Sequence, residues 1–171
     1  KTISKYFNKN DIYLKNDFNE ENIKSLNLDK YSVLSFATHG IVANELNGVN
    51  EPGLITTPPI VGTIDDDGVL SSSEIKNLKL NAELVILSAC NTAAGDGSSS
   101  AEGLSGLTSS FFYAGARSLL VSHWYVEDES TVNLMKSTFD NLNNNLSLSQ
   151  SLRLSKINML NKKSTSHPIF W

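Results

Sequence analysis

Cysteine is nearly missing from this chain: among 171 residues only Cys90 carries a thiol. One thiol cannot make an internal disulfide and leaves too few sulfur ligands for a structural zinc site, a usage that suits a reducing cytoplasm. Basic residues are short as well. The 14 Lys and Arg stand against 18 Asp and Glu, giving a net charge of -4. The bases are scattered, so the phosphate-neutralising surface of a direct nucleic-acid binder is not expected. No apolar run approaches the roughly 20 residues that a bilayer requires, and the polar opening KTISKYFNKN lacks the character of a signal peptide. A soluble, cytoplasmic protein without a membrane partner is expected. No internal repeat is visible. No methionine precedes Lys1, which reads as a piece of a longer protein.

What is present is material for one domain with a core, since 40% of the residues are hydrophobic and the length falls within the usual domain range. Short apolar runs alternate with amphipathic stretches, the pattern of parallel strands joined by crossover helices. The expected fold is α/β, with a mostly parallel central sheet flanked by helices on both faces. Asn19 in FNEENIKSLN is placed to cap a helix whose first turn holds Glu20 and Glu21. Val33, Leu34 and Phe36 form a strand expected to end near His39 and Gly40. Residues 41–68 read as a long loop with a hairpin around Leu54 to Thr57. Ser71 and Glu74 fit a capping box. The unbroken run AELVILSAC is a strand covered on both faces. Leu104, Leu107, Phe111 and Ala114 recur at helical spacing, RSLLVSHW returns as a strand, and Val132, Met135 and Phe139 share a helical face. A last helix is expected to bury Leu148, Leu152, Ile157 and Leu160.

Two strands in this reading stop at residues with chemical capability, FATHG at His39 and LSAC at Cys90. Open α/β sheets gather their sites at the carboxyl ends of strands. A thiol with its ordinary pKa of about 8.5 is mostly protonated at neutral pH, and an imidazole alongside would activate it. Attack on a carbonyl builds charge on oxygen that fixed donors must meet, and the N–H groups of Gly40 and Cys90 are candidates. His39 precedes Cys90 by 51 positions, close to the interval of about 50 in the caspase signature. Alone, each residue has a plainer reading: Cys90 as a packed thiol, His39 as a ring satisfied at a strand end.

SFATHG, DDDGVLSSSEI, ELVILSACNTAAGDG, AEGLSGLTSSFFYAGARSLLVSHWYVEDES and HPIFW, in that order and over nearly the whole chain, together resemble the CHAT domain. This is a bacterial relative of the caspases and of separase that shares the caspase-hemoglobinase fold. The resemblance implies that His39 and Cys90 form a catalytic dyad of a cysteine endopeptidase. SHWYVEDES is similar to the separase segment in which a tryptophan is followed four residues later by an aspartate facing a basic P1 side chain. Those positions are Trp124 and Asp128 here, which implies cleavage after Lys or Arg. Asp128 also reads as the cap of a helix beginning near Glu129. Asp96 is a second acidic candidate for substrate binding, or a turn residue. His123 stands where the family more often has leucine. In the family the motif matching HPIFW leads into a further strand, and more elements precede the matched region. Residues 1–171 therefore read as the dyad-bearing C-terminal part of a longer domain. The implied partners are a peptide or protein substrate and a regulatory sensor or tetratricopeptide-like repeat domain or protein that releases the latent peptidase.

Other chemistry is less well supported. The three adjacent acids of DDDG, Asp65 to Asp67, do not alternate as an EF-hand loop requires and read as a solvated turn. GLSGL misses the G-x-S-x-G spacing by one position, and GDGSSS lacks the lysine of a phosphate loop. His39, His123 and His167 have no metal-site spacing. No cofactor and no metal are expected. Two other functions compete: a catalytically silent caspase-like module that binds protein partners, and a cysteine amidotransferase, in which the histidine usually follows the cysteine.

Overall fold

A computed structural model describes residues 3–63, 65–88, 102–122 and 127–171, with only the main chain of 102–105 and 128. Two compact units divide the chain, one made of Tyr13–Trp124 and the other of Lys1–Ile12 with Tyr125–Trp171.

The first unit is built on the parallel sheet that the apolar runs predict. Strands β1 (Val33–Phe36), β5 (Leu84–Leu87) and β6 (Leu119–Val121) lie in the order β1-β5-β6, all parallel. All four residues of β5 are buried, so both faces of this central strand are covered, as its continuous apolar sequence requires. Helices α1 (Glu20–Ser25), α2 (Ser72–Asn77) and α3 (Glu102–Ala114) belong to the same unit. Asn19 caps α1 by accepting from the Asn22 N–H, and the Ser71–Glu74 capping box opens α2, both as expected. Leu107, Phe111 and Ala114 of α3 join Phe36, Val85 and Leu87 in one core. The Phe36 and Phe111 rings sit 5.5 Å apart, and each large side chain so buried contributes on the order of 2 kcal/mol. Gly115 ends α3 at φ +115°, where an added Cβ would run into the Leu80 carbonyl, so only glycine turns the chain back toward β6.

The first strand is shorter than its sequence predicts. β1 stops at Phe36, and Gly40 and Ile41 form β2 in a second, antiparallel sheet of order β2-β3-β4, with β3 at Gly53–Ile55 and β4 at Val69–Ser71. The hairpin expected within 41–68 is present in β3, which pairs with both neighbours. Leu54 and Leu70, fully buried, join this small sheet to the core around Phe36.

The second unit holds α4 (Asp128–Asn143) and α5 (Leu148–Leu160) packed together, with an N-terminal 3-10 turn at Ile3–Tyr6. Met135 and Phe139 are buried and Val132 half-buried, as the spacing predicts. Tyr6 stacks on Phe139 at 5.4 Å, and its hydroxyl donates to Asp140 Oδ1 at 2.8 Å. The expected stripe on α5 is not the buried one. Ser151, Ser155 and Met159 are buried, Leu148, Leu152 and Ile157 are half-buried, and Leu160 is 50% exposed. Polar pairing accounts for Ser155: its Oγ accepts from Asn141 Nδ2, which also donates to the Ser151 main-chain carbonyl, and donates to Ser137 Oγ at 2.9 Å. Small serines let the two helices approach closely enough for these bonds.

Candidate active site

β1 and β5 are neighbours in register, with Phe36 opposite Leu87, and the Ser88 N–H extends the ladder by donating to Phe36 O at 2.9 Å. Both chains therefore leave the sheet at the same carboxyl edge. His39 follows Phe36 by three positions, and Cys90 follows Leu87 by three. Cys90 itself lies outside the described residues, as do Asp96, His123 and Trp124.

His39 is held by its main chain. The Ile55 N–H donates to the His39 carbonyl at 2.8 Å, and Thr38 Oγ1 donates to the Ile55 carbonyl at 2.5 Å. The next residue, Gly40, pairs with Leu54 and is buried, whereas the His39 side chain is exposed. The imidazole is thus open to solvent on a backbone anchored in the second sheet. Neither Thr38 nor Ile55 stands out in the sequence, because the bonds that matter join residues brought together only by strand pairing.

Asp128 lies in the other compact unit, as the first residue of α4. The capping role that it was expected to share belongs to Glu127, whose carboxylate accepts from the Glu129 N–H at 3.0 Å and the Ser130 N–H at 2.7 Å. The bond from the Ser130 N–H, followed by those from the Ser130 side chain and the Glu129 N–H, lowers the Glu127 pKa below its ordinary value. A glutamate can cap because its longer side chain folds back over the first turn, a case that the usual preference for shorter residues does not single out.

The main chain of the DDDG turn is tied to Glu20 of α1. Buried Glu20 accepts from the Asp67 N–H at 3.0 Å and the Gly68 N–H at 2.6 Å, and pairs with Lys24 at 2.8 Å. Lys24 also binds Glu74 at 2.5 Å. Burial pulls the Lys24 pKa down, but Glu20 and Glu74 outweigh it and leave the ammonium above its ordinary 10.5. Asp65 and Asp67 still face solvent. Among the described residues no three His, Cys, Asp or Glu gather as a metal site, and no helix is long and apolar enough to cross a membrane.

The profile of the CHAT domain matches residues 1–171. The chain belongs to the CHAT domain family. The parallel sheet of β1, β5 and β6 is consistent with this caspase-related family. The CHAT chain is also 32% identical, over 103 residues, to tetratricopeptide repeat protein 28 of Mus musculus. That match takes in 60% of this chain but 4% of the mouse protein, so the likeness is to one segment of a far longer molecule.

Proposed function

We propose that this CHAT domain is a cysteine endopeptidase in which His39 activates Cys90. The observation that carries the reading is the pairing of β1 with β5, whose common edge is followed at equal distance by the two residues. Membership of a caspase-related family supports it. In the reaction, His39 takes the Cys90 proton and the sulfur bonds to the peptide carbonyl carbon. The displaced C=O electron pair is held as an oxyanion by the N–H groups of Gly40 and Cys90. The imidazolium returns its proton to the amine nitrogen as the C–N bond breaks, leaving a thioester that water, deprotonated by His39, hydrolyses. The likeness of SHWYVEDES to the separase segment supports the assignment of Asp128, with Trp124 and Asp96, to binding a Lys or Arg side chain before the cut. The tetratricopeptide relative supports a repeat domain or protein as the controlling partner.

The test is labelling by an arginyl chloromethyl ketone, together with hydrolysis of Arg-ending fluorogenic peptides. Wild type is expected to be labelled at Cys90, His39→Ala much more slowly and Cys90→Ala not at all. Asp128→Asn is expected to lose the preference for arginine over a neutral side chain. Peptide turnover undiminished in Cys90→Ala removes the peptidase reading. Failure of wild type to label or to cleave favours the silent interaction module instead.

A further inference from the structure

We propose that Thr38 is a positioning residue that holds the His39 imidazole in line with Cys90, a role that rests on the dyad reading above. Residues 37–39 lie between two sheets and have no regular secondary structure of their own. The direction in which residue 39 projects is therefore set by whatever ties this bridge down. One residue of β3 does so from both sides. Ile55 receives the Thr38 hydroxyl on its carbonyl oxygen and gives its own N–H to the His39 carbonyl.

The clamp is as rigid as what lies behind it. Leu54, adjacent to Ile55, is fully buried and paired with both Gly40 and Leu70. The Thr56 N–H beyond it donates to Gly68 O at 2.9 Å, and Gly68 is held in turn by buried Glu20. Through Ile55, the half-buried Thr38 hydroxyl thus connects an exposed histidine to the most deeply buried part of its sheet. A β-branched side chain with few χ1 choices suits this task, but the donor is the oxygen, which valine lacks and serine keeps. Because displacing a reacting group by about 1 Å can cost roughly 100-fold in rate, losing one of two clamp bonds is enough to register in the chemistry.

Cys90 is the sole thiol, so alkylation of the full chain by iodoacetamide reports on that sulfur alone and needs no substrate. Wild type is expected to react well below the ordinary thiol pKa of about 8.5, and His39→Ala to move the rate profile back up. Thr38→Val is expected to slow alkylation on the acid side by about tenfold while melting within a few degrees of wild type, and Thr38→Ser to restore the rate to within about twofold. A wild-type profile in Thr38→Val, or a Thr38→Ser variant as slow as Thr38→Val, overturns the proposal. So does a profile indifferent to His39→Ala, or a loss that merely follows the unfolded fraction. The peptidase reading fails by a different signature. If alkylation depends on His39 and Thr38 as expected while no peptide is cleaved and the arginyl ketone has no advantage, positioning stands on a thiol that is not proteolytic.

Discussion

A carboxylate sealed from water needs its lone pairs occupied, and Glu20, with none of its surface exposed, draws its partners from Lys24 and from the main chain of residues 67 and 68. Removing it strands the buried Gly68 N–H and the part-buried Asp67 N–H and leaves Lys24 paired with Glu74 alone. Glu20→Ala is therefore expected to lower unfolding free energy by about 3 kcal/mol in urea titration, with Glu20→Gln losing less because its amide oxygen still accepts from Gly68. A Glu20→Ala loss below about 1 kcal/mol would show that the loop carries its own order. None of this is legible locally. Glu20 looks like any acid in the first turn of a helix, and its decisive partner Gly68 lies 48 positions away.

At the scale of elements, α2 shows how a short helix is secured from outside. Six residues cannot sustain a helix by propensity, so its N-terminus is bonded twice, by the Ser71–Glu74 box and by Glu51. The Glu51 carboxylate accepts from Ser72 Oγ at 2.5 Å, and from the Ser73 N–H and Oγ, each at 2.8 Å. Burial pushes its pKa up, but these bonds outweigh burial and, with Lys76 nearby, leave it below the ordinary 4.5. A depressed folded pKa gives stability that is present in full above the unfolded value and is lost as pH falls through the folded one. The stability difference between wild type and Glu51→Gln is thus expected to be widest above pH 4.5 and to close in more acidic buffer, read by denaturation at a series of pH values. A gap that is constant across that range would mean that Glu51 acts by packing rather than by charge. The two elements differ in how far their sequences disclose them. The capping box is readable because both partners sit within four residues. The buried face of α5 is not, because its leucines outnumber its serines and only hydrogen bonding to Ser137 and Asn141 on α4 holds Ser155 inward.

For the molecule as a whole, resistance to opening should follow the sheet rather than the number of helical turns. β5 is bonded on both sides, by β1 and β6, and all four of its residues are buried, while α5 turns three small or flexible side chains inward and leaves Leu160 half in water. Amides of Leu84–Leu87 are expected to exchange with solvent more slowly than those of Leu148–Leu160 in hydrogen-exchange mass spectrometry. Equal rates in the two segments would place the most stable structure elsewhere. Charge is unevenly spread along the chain too: no Asp or Glu follows Asp140, whereas Arg153, Lys156, Lys162 and Lys163 do.

By itself the sequence determined the α/β class, the principal strands, the caps of α1 and α2 and the family, because these depend on period, on partners within a turn and on motifs in fixed order. Only the tertiary structure decided that β1 lies beside β5, that His39 hangs on Ile55 and that Glu20 is buried. Hydrogen bonds between residues 17 to 48 positions apart leave no periodic trace, since any polar side chain or main-chain group at either end could have found another partner until the fold chose one.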